Sequence, residues 1–146
     1  MKKLLISAFA LCFAGAIAAQ ESPLWKRHCV LSPDGTTIAF TYKGDIYTVP
    51  ATGGRATQIT TNPAFDTEPV WSPDGKQIAF ASDRMGSLDV FTVSKDGGVP
   101  QRLTTHSGSE KPVAYKDNNH ILFTANIAPS TEDAGFPSGQ FQQVYE

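Results

Sequence analysis

The sequence predicts an all-β chain made of repeated units of four short antiparallel strands. Three observations carry that expectation: segments recur at spacings of 40 and 44 residues, each recurrence opens on a similar turn, and nothing in the repeats has helical periodicity. Ser32-Pro33-Asp34-Gly35 returns as Ser72-Pro73-Asp74-Gly75, and Ile38-Ala39-Phe40 as Ile78-Ala79-Phe80. Asp45-Ile46-Tyr47-Thr48-Val49 returns as Asp89-Val90-Phe91-Thr92-Val93, Gly53-Gly54 as Gly97-Gly98, and Gln58-Ile59-Thr60-Thr61 as Arg102-Leu103-Thr104-Thr105. The extra residues fall within Ser82–Leu88, the longer counterpart of Thr41-Tyr42-Lys43-Gly44. The insertion therefore lies in a loop, where repeat folds accept it.

In chain order, Met1-Lys2-Lys3 and the apolar run Leu4–Ala19 read as a secretory signal peptide over residues 1–19. Ala16-Ile17-Ala18 has the small-x-small pattern of a cleavage site, with the cut after Ala18 or Ala19. The run is shorter than the roughly 20 residues that span a bilayer, so no stable membrane span is expected after cleavage. Cys12 follows Leu11 inside the run, which does not fit a lipoprotein site. Cleavage removes Cys12 and leaves Cys29 alone, so no intrachain disulfide can form. It also removes Lys2 and Lys3 from the 12 basic residues, leaving 10 against 14 acidic ones, a net charge of −4.

The rest, residues 20–146, divides into units at about 26–61, 66–105 and 110–146. In the second unit Glu68–Trp71 leads into Ser72-Pro73-Asp74-Gly75, where Pro suits the first central position of a type I turn, Asp the next, and Gly supplies the left-handed residue that follows. Gln77–Ala81, Asp89–Val93 and Gln101–Thr104 are the next strands, the last two joined through Gly97-Gly98. The connections are short, which makes neighbouring strands antiparallel. In the third unit Lys111–Tyr115 is the first strand, Lys116-Asp117-Asn118-Asn119 replaces the Pro-Asp-Gly turn, and His120–Thr124 is the second strand. A breaker-rich loop at Ala128–Gly139 precedes a third strand, Gln143–Tyr145, and is the best loop candidate for contact with a partner.

Composition narrows the function. A formal charge of −2 without a basic stripe argues against nucleic-acid binding, and 40% hydrophobic residues argue for a folded chain. Asp34 and Asp74 recur at one turn position, which points to turn chemistry rather than metal ligation or acid catalysis. Asp83 and Arg84 open the inserted loop and are expected to fix it as an ion pair. His28, His106 and His120 are scattered without metal-like spacing. Cys29, among apolar neighbours, is expected to be a buried, inert thiol, and Trp25, Trp71, Tyr42 and Phe65 to pack between units. Gly135-Phe136-Pro137-Ser138-Gly139 lacks the strand-turn-helix context of a nucleophile elbow. No residue is assigned a catalytic, cofactor-binding or metal role, and no cofactor is expected.

A four-stranded unit of about 40–45 residues has the period of β-propeller blades. Trp71–Phe80, followed by Ser82-Asp83-Arg84, Asp89-Val90-Phe91, Gly97-Gly98 and Arg102-Leu103-Thr104, resembles the blade repeat of TolB-like propellers, and the resemblance covers nearly all of residues 30–125. Pro23-Leu24-Trp25-Lys26-Arg27, with Tyr42–Tyr47 inside the first blade, is similar to the N-terminus of exported bacterial tricorn protease homologues. About 128 residues after the signal, at roughly 43 per blade, give about three blades where closed rings use about four to eight, so an open, incomplete propeller is expected. The resemblance implies a noncatalytic propeller segment of an exported serine peptidase, periplasmic or extracellular, that gates or docks peptides for a core absent from these residues. The alternative is a TolB-like periplasmic scaffold that binds envelope proteins. The implied partners are peptides or envelope proteins, together with further blades and domains.

Overall fold

The computed structural model describes residues 25–106, 108–125 and 143–146. The signal segment and the Ala128–Gly139 loop, with Ser138, lie outside the described residues. The described strands are β1 (Arg27–Leu31), β2 (Thr37–Tyr42), β3 (Asp45–Pro50), β4 (Thr57–Gln58), β5 (Asp66–Trp71), β6 (Gln77–Ser82), β7 (Asp89–Ser94), β8 (Gln101–Arg102), β9 (Glu110–Tyr115), β10 (Ile121–Ala125) and β11 (Gln143–Tyr145). They form antiparallel sheets in the orders β1-β2-β3-β4, β5-β6-β7-β8 and β9-β10-β11, one per blade. The fold is an all-β, propeller-type stack of blades. Strand β5 packs on both β1 and β9, so the first strands of the three blades lie side by side.

Turn chemistry repeats with the sequence. In each of the first two blades a Ser hydroxyl, Ser32 or Ser72, donates to the Asp two residues on, at 2.6 and 2.7 Å, and accepts from the backbone N–H of Thr37 or Gln77. The same Asp accepts from the N–H of Thr36 or Lys76 at 3.0 Å. Gly35 and Gly75 take φ of 73° and 68°, which a side chain would resist. In the third blade Asp117 does this work by accepting from the N–H of Asn119 and His120.

The facing of the strands follows from register. Ala39 pairs with Thr48 and Thr41 with Ile46, placing these four on one face of blade one, while Ile78 pairs with Val93 and Phe80 with Phe91 on one face of blade two. Ala39, Ile46, Ile78, Phe80, Phe91 and Val93 belong to one buried cluster with Ile59 and Trp71, which is the seam between the two blades. Trp71 Nε1 crosses it to donate to Val30 O at 3.2 Å. On the other face of blade two, Thr92 Oγ1 meets Tyr115 Oη of blade three at 3.1 Å. A stacked aromatic pair between the second and third strands recurs in every blade: Phe40–Tyr47, Phe80–Phe91 and Phe123–Tyr145, with centroids 5.8, 6.0 and 5.6 Å apart.

Several strand limits differ from the sequence reading by a residue or two, and three have a clear physical cause. β8 stops at Arg102 rather than Thr104, because the Thr104 hydroxyl accepts from the Val90 N–H at 2.9 Å and takes over from the ladder, as Thr60 does for Ile46 at 3.0 Å. β5 begins at Asp66, whose N–H donates to Gly44 O of the preceding blade at 2.7 Å. β10 begins after His120, which Asp117 holds in the turn.

Phe80 is fully buried at the seam, whereas Val99 is 96% exposed. Phe80→Ala should lower unfolding free energy by about 3–5 kcal/mol, and Val99→Ala should change it by less than about 0.5 kcal/mol. Urea denaturation at 25 °C would measure both.

For Asp74, the Ser72 hydroxyl first and the Lys76 N–H second hold the carboxyl below its ordinary value of 3.8. Its folded value lies below the unfolded one, so its contribution to stability is complete above that ordinary value and is lost as pH falls through the folded value. Ser72→Ala should move the Asp74 titration upward, as followed by carboxyl NMR.

Candidate functional site

Asp34 and Asp74 line a common cleft of about 570 Å³ between the first two blades, and Trp25 and Phe65 another. Asp34 and Asp74 are committed to their turns. His28, His106 and His120 sit apart; His106 Nδ1 accepts from the Gly108 N–H, and His120 lies 2.8 Å from Asp117 in a turn. Among the described residues no group of three or more His, Cys, Asp or Glu could hold a metal ion.

Arg84 and Asp83 each fix the inserted loop, but not as a pair. Arg84 Nη2 reaches both Asp66 oxygens at 3.0 and 3.1 Å, and its Nε donates to Ser82 Oγ at 2.8 Å. Its guanidinium lies 4.5 Å from the centroid of Phe91, and Asp66 is fully buried. Asp83 instead accepts from the Phe65 N–H at 2.7 Å. The physical reason is burial: the sealed Asp66 carboxylate needs the cation more than exposed Asp83 does.

The aspartates that open the third strands follow the same rule. Asp45 is half-buried and accepts from Gln58 Nε2 at 3.0 Å, and burial first, then the charge of Asp66, raises its pKa. Its counterpart Asp89 is fully buried and has Arg102 Nη2 at 2.8 Å in place of Gln58.

Two expectations are corrected. Cys29 is exposed rather than buried, because a bulge between Arg27 and Val30 takes His28 and Cys29 out of the ladder, with His28 at φ 51°. Of the four aromatics expected between blades, Trp71 is buried and Tyr42 is half-buried edge-on to Tyr47, but Trp25 and Phe65 are 66% and 49% exposed.

Where the exposed aromatics lie, a cleft of about 530 Å³ opens between blades one and two. Trp25, Arg27, Thr41, Lys43, Gly44 and Phe65 line it. The bond from the Asp66 N–H to Gly44 O ties its two sides together, and a Cβ at Gly44 would come 3.4 Å from the Phe65 ring, so glycine sets the closeness of that wall. Arg27 stands 5.7 Å from the Trp25 ring and Lys43 5.4 Å from Tyr42. None of the six lining residues is acidic.

A second surface is the row of first strands. Glu68, at φ 54° in a bulge of β5, reaches Lys111 of β9 at 2.7 Å. His28 occupies the matching left-handed position in β1. The bulge places these three polar side chains on adjacent first strands, and sequence reasoning had no signal for it because Glu68 and Lys111 are far apart along the chain. The exposed cleft aromatics were named in the sequence, but their exposure depends on how blade one meets the segment before β5.

Four-stranded antiparallel blades stacked through their first strands define a β-propeller protein. Residues 26–137 match the tricorn protease N-terminal beta propeller domain, and the chain belongs to that family. It is 38% identical over 77 residues to tricorn protease homolog 1 of Streptomyces coelicolor, an alignment covering 53% of this chain and 7% of that protein. It is 32% identical over 108 residues to the uncharacterized peptidase YuxL of Bacillus subtilis, covering 66% of this chain and 16% of the relative. The chain thus spans well under half the length of these relatives. Among solved structures, a putative TolB from Agrobacterium tumefaciens superimposes with a TM-score of 0.58 at 26% identity over 65% of this chain and 36% of that one. The tricorn protease shares the fold with a TM-score of 0.54 at 17% identity, over 72% of this chain and 11% of that one.

Removing the Arg84 guanidinium leaves Asp66 sealed without a counter-ion. Arg84→Met should cost about 3–5 kcal/mol in denaturant unfolding, whereas Asp83→Asn, at an exposed site, should cost about 1 kcal/mol or less.

Proposed function

We propose that this chain is the noncatalytic N-terminal propeller segment of an exported tricorn-like serine peptidase, in which it gates or docks peptide substrates for a catalytic core outside these residues. The observation that carries the reading is the family match over residues 26–137 on a blade architecture. The peptidase names of two relatives support it. The charged first-strand row and the cleft walled by Trp25 and Phe65 supply surfaces for peptide. Export rests on the Met1–Ala19 segment.

The test is to incubate the purified chain with a panel of unstructured peptides. Saturable binding without cleavage is expected. Hydrolysis that disappears on mutating a residue within 20–146 would overturn the noncatalytic role. In the native host, an antibody to residues 60–110 should detect a periplasmic band several times larger than this chain. A parent that ends after about three or four more blades, without a peptidase core, would instead favour a scaffold of the TolB kind, and a band no larger than the mature chain would mean that these blades act as they are with a partner that completes the ring.

A further inference from the structure

We infer that the cleft walled by Trp25 and Phe65 is a subsite for an internal peptide segment that carries an acidic side chain beside a bulky apolar one; the inference rests on the peptide-docking reading above. Two exposed aromatic side chains face a common space of about 530 Å³, whereas the other large aromatics among the described residues are buried or half-buried. Desolvating both rings is the main gain available to any occupant, and an apolar side chain provides it.

Charge decides the rest. Arg27 and Lys43 line the cleft beside the rings of Trp25 and Tyr42, and among the described residues neither forms a salt bridge. The chain carries more acids than bases, and among the described residues six Lys and Arg side chains lie within 4.0 Å of a carboxylate: Lys76, Arg84, Lys95, Arg102, Lys111 and Lys116. The two cations in the lining, with no acid beside them there, favour an anionic group on the occupant. Thr41 closes the floor, and its Oγ1 is buried without a hydrogen-bond partner among the described residues.

The walls come from separate segments: Trp25 and Arg27 from the start of blade one, Lys43 and Gly44 from the β2–β3 turn, and Phe65 from the approach to β5. Such a cleft is open to solvent beside both aromatics, so a peptide can continue past it. An internal Asp or Glu side chain is therefore the carboxylate assigned, not a chain terminus. Two lining cations on a net-negative chain are too few for a nucleic-acid backbone.

The probes are fluorescently labelled peptides blocked at both ends, one containing Leu-Asp-Phe and one Leu-Lys-Phe, titrated with the full chain by anisotropy. A third, neutral probe carries a free C-terminal carboxylate. The Asp probe should bind at least about tenfold more tightly than the Lys probe. Arg27→Glu and Lys43→Glu should each weaken it roughly fivefold, and added salt should erode the difference. Trp25→Ala should weaken binding while Trp25→Phe restores it. Trp71 is the only other tryptophan, and its unchanged emission would report an intact seam.

Equal binding of the Asp and Lys probes, unaffected by Trp25→Ala, would overturn the subsite and leave peptide docking standing. Binding of the free-carboxylate probe alone would overturn the internal-acid assignment. Self-association of the chain lost in Trp25→Ala, with no probe bound, would put a second copy in the cleft and overturn it as well. No binding of any peptide would remove the docking reading itself.

Discussion

A blade has two faces and cannot cover either by itself. Four short strands give a sheet whose alternate side chains point to opposite sides, so each apolar face must find another sheet. Blade two shows the constraint met: Ile78, Ala79, Phe80 and Ala81 are consecutive in β6, point alternately to the two faces, and are all fully buried. A run of four apolar residues with no polar alternation is what a strand covered on both sides should contain. In β10, the corresponding strand of blade three, Ile121, Leu122, Phe123 and Thr124 are only half-buried.

Much of the internal structure is a local device copied from blade to blade. The Ser–Asp turn, the Thr hydroxyl that ends the outermost strand and the stacked pair between the second and third strands return in equivalent registers. They differ where burial differs. Asp45, partly open to solvent, makes do with a neutral amide from Gln58, and Asp89, fully enclosed, has the Arg102 guanidinium. Asp66 follows the same rule through Arg84, whose planar cation also lies over Phe91.

The cleft arises where two blades stop matching. Blade one turns tightly through Lys43-Gly44, whereas blade two inserts residues that bring Arg84 back over its own aromatic pair. The short turn lets Gly44 meet the Phe65 segment closely and leaves Lys43 beside Tyr42. A repeat protein gains a site of this kind without disturbing its core, because loop differences are absorbed outside the ladders.

The sequence alone determined the blades, because each device that makes a blade acts over a few residues. Ser32 and Asp34 close a turn two residues apart, short runs of β-forming residues between turns mark the strands, and the 40- and 44-residue spacings mark the units. The tertiary structure decided everything that depends on distance in space. Arg84 chooses Asp66, 18 residues away, over its neighbour Asp83; bulges at His28 and Glu68 turn the inner strands and expose Cys29. Trp71 and Trp25 look alike as residues in a list, yet one fills a seam and the other walls an open cleft. Their separation reflects packing between sheets, where the gain from burying a ring depends on which surface arrives opposite it, and no local pattern encodes that surface.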